Sequence, residues 1–245
     1  MITVILNGYK RKDYLDEQIA AIEAQTVKPT EILLWYNHPN DESLINHNIS
    51  NKTKAAYCNH NFGVWSRFYF ALNASNPYIC ILDDDAIPSD QWLENCMVTM
   101  NKKEGLLGTI GLIYRNPKPP TECSYWDDYY RVGWAENHSR DITQVDFVGH
   151  SWFFKKEWLS YYTRELPNPK YMTCGEDMHF SYMLQKYAGI NTYVPPHPLN
   201  NKRMWGSTKE EYGKDKNSLW RHNGNNMNEF FREQRMKGWK LINEK

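Results

Sequence analysis

Residues 78–92 read YICILDDDAIPSDQW, an apolar run that ends in three consecutive aspartates, Asp83, Asp84 and Asp85. Adjacent carboxylates repel one another, so the arrangement is costly unless solvent or a cation relieves it. If the apolar run is a strand, side chains alternate: Asp83 and Asp85 project to one side and Asp84 to the other. Two carboxylates converging at a sheet edge suit a hard divalent cation, Mn²⁺ or Mg²⁺, which commonly leaves part of its shell to substrate phosphates. An acidic turn in water is the plainer alternative for an isolated Asp-x-Asp, and the buried strand ahead of it favours the metal. A second acidic pair, Glu176-Asp177, follows Cys174-Gly175 and opens an apolar-periodic segment. Acids at a helix start are stabilised by the dipole whatever else they do. The glycine turn also lets one of them approach a cleft, where a carboxylate can act as general base; Asp177 is favoured and Glu176 is second. Trp152, Trp126 and Trp134 could stack on sugar faces, and Trp152 with the nearby His150 is assigned to an acceptor site.

These side chains must be positioned by regular elements. ITVILN (2–7), EILLWYN (31–37), AAYCN (55–59) and YICIL (78–82) read as short buried strands. Between them, DYLDEQIAAIEAQ carries Leu15, Ile19 and Ile22 at helical spacing, with Asp13 as N-cap. GVWSRFYFALNAS reads as a helix with Trp65, Phe68 and Leu72 inward. This alternation predicts an α/β domain with a mostly parallel sheet flanked by helices. Ligands of such sheets bind at the carboxyl ends of the strands, where Asn7, Asn37 and Asp83–Asp85 all fall. Further on, a helix is expected over 89–101 with Ser89 as N-cap, and strands over 108–114 and 144–154. Residues 115–144 read as a long loop, 155–162 and 176–187 as helices, and 190–195 as a last strand. Residues 41–54 are polar and turn-rich. From about 196 the chain is polar, which predicts a mobile segment and then a short amphipathic helix near 226–237. No linker divides the chain, so one domain over 1–245 is expected.

Composition narrows the function. Lysine plus arginine (29) equals aspartate plus glutamate (29), so the basic excess of a general nucleic-acid binder is missing. Lys10-Arg11-Lys12 and Lys202-Arg203 remain local anion sites. The five cysteines are scattered without a CxxC pair, which fits a reducing, cytoplasmic setting rather than a disulfide framework or zinc knuckle. No apolar run approaches ~20 residues, so no membrane span is expected. The opening MITVILNGY reads as a strand, not a signal peptide.

Together the motifs carry a family resemblance. ITVILNGYKRKDYLDEQIAAIEAQTVKPTEILLWYN resembles the N-terminal segment of GT-A glycosyltransferases, especially family 2. NFGVWSRFYFALNASNPYICILDDDAIPSDQWL resembles the next segment, an Asn-x-Gly with a downstream arginine leading to the DxD strand. CGEDMHFSYMLQKYAGINTYVP is similar to the later "ED" helix and terminal strand. The resemblance spans roughly residues 1–200 and implies the GT-A (Rossmann-like) fold. It implies residues 1–87 as a nucleotide-sugar half, 88–200 as an acceptor half, and transfer from a UDP- or GDP-sugar to a glycan hydroxyl. By resemblance Asp83 contacts ribose or metal and Asp85 coordinates Mn²⁺ or Mg²⁺, while strand alternation leaves Asp84 to support them from behind. Asn7, Tyr9, Arg11 and Asn37 line the nucleotide pocket, Arg67 faces ribose or phosphates, and Asp177 is the base. His197 falls near a third metal ligand, with His222 as alternative; Lys202, Arg203 and Arg221 could fold over the diphosphate.

The second strand ends WYN where family 2 usually has two acids for the base. That ending, the triple aspartate and CGED also resemble the exostosin-like transferases, which share the fold but retain configuration. A sugar-1-phosphate nucleotidyltransferase is disfavoured because LNGYKRK has one glycine where a phosphate cradle needs several. A non-catalytic glycan-binding module leaves both acidic motifs without a role. A processive synthase is set aside because QRMKGW is not QxxRW and no membrane helices are read.

Overall fold

A computed structural model describes residues 1–9, 11–37, 53–134, 137–209 and 218–244. The β-branched opening forms β1 (Ile2–Gly8), buried throughout except at Asn7. Helix α1 (Lys12–Glu23) then buries Leu15, Ile19 and Ile22. It starts one residue before Asp13, so Arg11 and not Asp13 stands at the N-cap. β2 (Glu31–Asn37) is likewise buried except at its terminal asparagine, as expected of strands covered on both faces. β3 (Thr53–Cys58) follows; most of the polar 41–54 stretch lies outside the described residues, as does Lys10.

The expected helix over 63–75 contracts to α2 (Ser66–Phe70) plus a 3₁₀ turn at Ala71–Asn73. Trp65 and Phe68 are buried, whereas Leu72 is 52% exposed because the tighter turn rotates it off the core face. β4 (Tyr78–Leu82) delivers the aspartates. α3 (Trp92–Lys102) starts later than Ser89, whose carbonyl accepts the Trp92 N–H while its hydroxyl makes no cap.

Beyond α3, the apolar runs are cut more finely than their composition suggests. The 108–114 run supplies β6 (Ile110–Tyr114), and a separate two-residue strand, β5 (Leu106–Leu107), precedes it in the other sheet. The 115–144 segment contains β7 (Tyr129–Val132) and the start of β8 (Thr143–Val145). The 144–154 run, expected as one strand, is β8, β9 (Phe147–Gly149) and β10 (Ser151–Lys155). Two residues make the breaks. Buried Asp146 accepts the N–H groups of Tyr114 (2.8 Å) and Ile242 (2.6 Å). His150 adopts φ +65, a left-handed conformation uncommon for a side-chain-bearing residue.

A short α4 (Leu159–Tyr162), α5 (Glu176–Ala188), β11 (Thr192–Val194) and α6 (Gly224–Met236) complete the order. The large sheet runs β3-β2-β1-β4-β10-β5-β11-β8. β1 pairs in parallel with β2 and β4, and β2 with β3, so the strand ends that carry the polar residues face one edge. β10 is antiparallel to β4, with Trp152 opposite Ile81. A smaller antiparallel sheet, β7-β6-β9, stands beside it.

The polar C-terminal region has a buried inner face. α6 buries Phe230 and Phe231, and Trp239 and Leu241 follow it into the core. Residues 210–217 of the expected mobile segment lie outside the described residues. Among the described residues, no helix is long and apolar enough to cross a membrane.

Candidate active site

β4 stops at Leu82, so the three aspartates sit in a turn closed by Ala86 N–H to Asp83 carbonyl (3.1 Å). α1 holds this turn from below. The Gln18 amide donates to the carbonyls of Asp83 (2.6 Å) and Ala86 (2.8 Å). Asn7 donates to the Leu82 carbonyl (3.1 Å), which locks the ends of β1 and β4 together. The turn, rather than strand alternation, sorts the acids, with the outcome expected from alternation. Asp83 and Asp85 converge with His150, each offering a ligand atom within 4.8 Å of the others. Asp84 turns to Arg11, whose guanidinium also reaches Asp85 at 3.5 Å. Burial pushes the Asp84 carboxyl up to about 6, and Asp85 and Asp83 add to the rise against the pull of Arg11.

Two carboxylates and an imidazole form a hard oxygen and borderline nitrogen set, and it fits Mn²⁺ or Mg²⁺. His150 was expected on the acceptor side; its Nδ1 lies 3.7 Å from Asp83 Oδ2, and its carbonyl accepts the Asp83 N–H. The strained φ of His150 is what turns the ring back onto β4, the kind of local cost found at functional sites. His197, the residue expected as third ligand, is not in this group. It is buried, stacked 4.3 Å from the Trp205 ring and 5.4 Å from His138. Burial first, then His138, pushes its imidazole down to about 4.

Arg67 is the hinge of the electrostatics. It is 8% exposed and so not a surface arginine. Nη1 donates to Asp83 and Nη2 to Glu176 at 2.5 Å, while the guanidinium lies 4.4 Å from the Trp152 ring centroid. Burial opposes ionisation of Asp83, yet the Arg67 charge holds that carboxyl below its ordinary value. At Glu176 burial prevails, and the carboxyl is raised despite Arg67. Trp152 is 1% exposed, packed on Arg67 and Phe68, because its strand face is covered by α2. It therefore offers no platform to an acceptor, contrary to expectation.

Asp177 is the freer acid of the pair. Gly175 (φ +85) turns the chain into α5, and a Cβ there would lie 2.6 Å from Phe230, so α6 packs directly on the turn. Asp177 Oδ1 accepts the Met178 N–H (2.7 Å), while Oδ2 faces Gly149, which precedes His150. Burial first, then the Glu176 charge, pushes the Asp177 carboxyl up to about 8. A carboxylate with that affinity can accept a proton near neutral pH.

Two of the expected nucleotide pocket residues, Tyr9 and Asn37, meet through Asn61. The Asn61 amide donates to Tyr9 Oη (3.1 Å), and its carbonyl oxygen accepts from Asn37 (3.0 Å) and Gly63 N–H (2.8 Å). Asn37 in turn accepts the Phe62 N–H (2.8 Å). The Asn-x-Gly spacing marked this loop. Gly63 (φ +76) is required because a Cβ would meet the Met172 carbonyl at 2.1 Å. Gln18 carried a signal too, a polar residue on the stripe of Leu15, Ile19 and Ile22.

The remaining expectations fall outside this cluster. Arg203 is a bidentate partner of Asp90 (2.6–3.1 Å), and Lys202 lies over Trp205 at 4.9 Å. Arg221 and His222 are exposed in the turn before α6. Trp126 is half exposed, edge-on to Tyr125 at 4.8 Å, and Trp134 lies 6.1 Å from the His150 ring.

Comparison with solved structures gives matches of the same fold at low identity. Staphylococcus aureus TarS 1-349 in complex with UDP-GlcNAc matches 80% of this chain and 56% of its own, at TM-score 0.55 and 15% identity. GalNAc-T7 with UDP, GalNAc and Mn²⁺ matches 91% of this chain and 47% of its own, at TM-score 0.61 and 14% identity. The mannosyltransferase PcManGT from Pyrobaculum calidifontis, with GDP-Man and Mn²⁺, matches 80% and 54%, at TM-score 0.52 and 17% identity. The chain thus spans about half the length of these proteins. No curated protein matches the sequence. The family model described as "Glycosyl transferase family 2" matches residues 3–163. That span holds the asparagine-tipped strands, Arg67, the aspartate turn and His150, and the chain belongs to glycosyl transferase family 2.

Proposed function

We propose that the protein is a metal-dependent glycosyltransferase that moves a sugar from a UDP- or GDP-sugar to a hydroxyl of a glycan acceptor, one residue at a time. The observation that carries this is the convergence of Asp83, Asp85 and His150 at the end of β4, with Asp177 across Gly149. The nucleotide-sugar and Mn²⁺ complexes of GalNAc-T7 and PcManGT, which share the fold, support the same donor class.

Asp83, Asp85 and His150 would hold Mn²⁺ or Mg²⁺. When bound, such an ion supplies Lewis-acid neutralisation of the diphosphate leaving group. Asn37, Asn61 and Tyr9 present a hydrogen-bonded floor for the base and ribose at the ends of β1 and β2. Arg11 sits at the start of α1 beside the aspartates and offers positive charge to phosphates. Glu176 is committed to Arg67, which leaves Asp177 to remove the acceptor proton. A base on the face opposite the leaving group gives inversion at the anomeric carbon. Residues 1–87 form the donor half and 88–200 the acceptor half, with α6 bracing the Glu176-Asp177 turn.

The test is a panel of nucleotide sugars assayed with Mn²⁺ for hydrolysis and thermal stabilisation. At least one donor is expected to respond to both. Cleavage undiminished by EDTA contradicts the metal role, and a transfer product with the donor's anomeric configuration by NMR contradicts inversion.

A further inference from the structure

Beside His150, β7 and the turn after it carry a cation with no role in the chemistry above. Tyr129 and Arg131 alternate onto one face of β7. The Arg131 guanidinium lies 5.4 Å from the Tyr129 ring centroid and 5.5 Å from that of Trp134. Its Nη2 donates to Tyr129 Oη at 3.0 Å. Gly133 (φ +76) makes this clasp possible. A Cβ there would meet the Thr109 carbonyl at 2.2 Å, so only glycine lets the chain turn sharply enough to bring Trp134 back beside Arg131.

The clasp lies near the proposed reaction site. Trp134 stands 6.1 Å from the His150 ring, whose Nδ1 is 3.7 Å from Asp83. In the other direction, half-buried Tyr125 is within electrostatic reach of both Asp177 and Arg131. Arg131 is half-buried, and among the described residues no carboxylate forms an ion pair with it. A guanidinium has five N–H donors, and Tyr129 takes one. The remaining donors form the planar fork whose geometry matches a carboxylate or phosphate. The surrounding acids, Asp177 and Glu176, would repel an anionic acceptor unless a cation offset them.

We propose that Arg131 binds an anionic group, a carboxylate or a phosphate, on the acceptor, so that the acceptor class is an acidic glycan. The inference rests on the glycosyltransferase reading of the same cleft. Tyr129 and Trp134 hold the guanidinium in place and offer ring faces to the adjoining sugar.

The test uses three tetrasaccharide probes: one ending in glucuronate, the same molecule with its carboxyl reduced to the alcohol, and one bearing a 6-phosphate. Binding is read by tryptophan fluorescence and NMR on the wild-type chain, Arg131→Gln and Arg131→Lys, each checked for folding by thermal melt. At least one charged probe is expected to bind about tenfold or more tighter than the reduced probe. Arg131→Gln erases that preference and Arg131→Lys keeps part of it. Whether glucuronate or phosphate gains more identifies the source of the anion. Equal binding of charged and reduced probes, no binding of either charged probe, or a preference that survives Arg131→Gln overturns the proposal. Mn²⁺-dependent cleavage of a nucleotide sugar is measured on the same wild-type preparation. Its absence counts against the transferase reading, while the probe titration still decides the anion subsite.

Discussion

Replacing Arg67 with methionine keeps the bulk on Trp152 and removes the charge that joins Asp83 to Glu176. Buried Glu176 and half-buried Asp83 then face each other, with only Arg11 and His150 left to offset Asp83. Breaking a buried ion pair from one side costs about 3–5 kcal/mol, and the protonation behaviour gives that loss a pH signature. In the wild type, Arg67 holds Asp83 below its ordinary 3.8, so its contribution is present above that pH and fades as the solution becomes more acid. In Arg67→Met, burial dominates at both acids and their folded pKa values rise. A group raised in the folded state contributes stability below its unfolded pKa and loses it as pH climbs through the folded value. The deficit of the variant should therefore widen from about pH 5 to about pH 7.5 as both acids are forced to ionise. Urea denaturation at the two pH values measures it, and adding Glu176→Gln should recover part of the loss non-additively. A deficit below about 1 kcal/mol, or one of equal size at both pH values, would refute the charge-network account.

Other outcomes follow from the same geometry. Asp177→Asn should lower transfer by about 10²–10⁴ while Mn²⁺-dependent donor binding persists, and unchanged turnover would remove Asp177 as the base. The wild-type rate should rise with pH through the Asp177 pKa of about 8, because the base works only when ionised; a pH profile flat between about 6 and 9 contradicts it. Glu31 is buried, which opposes its ionisation. Bonds from Lys54, the Ser75 N–H, Thr3 and the Ser75 hydroxyl outweigh the burial and bring it from 4.5 down to about 2. A depressed acid stabilises above its unfolded pKa, so up to about 3 kcal/mol should be lost as pH falls from 4.5 toward 2. Glu31→Gln should flatten that acid dependence in denaturant midpoints, and an unchanged slope would contradict the assignment.

The strand ends were legible because each rests on local signals. Asn7 and Asn37 are the polar tips of apolar runs, and Asp83–Asp85 follow one directly. The same local logic misled where a run crosses from one sheet to another. Nothing in QVDFVGHSWFF announces that Asp146 will accept two backbone N–H groups or that His150 will take a positive φ, since both depend on distant partners. For that reason His150 was assigned to the acceptor and His197 to the metal. Trp152 shows a related limit: a tryptophan on a central strand can face a cleft or a helix, and only the pairing of β10 with β4 decides. α6 was legible as amphipathic, yet the polarity of its surroundings concealed that Phe230 packs against Gly175. Arg131 had no signal at all, because its importance lies in the rings that clasp it and the ion pair it lacks among the described residues.

The most direct test of the central claim is Mn²⁺ binding by electron paramagnetic resonance, with and without a nucleoside diphosphate, for wild type, Asp85→Ala and His150→Ala. Wild type is expected to bind the ion more tightly when the nucleotide is present, and each variant to lose roughly tenfold or more of that affinity without a change in fold. Equal Mn²⁺ binding by Asp85→Ala, or nucleotide binding that is indifferent to the ion, would contradict the account.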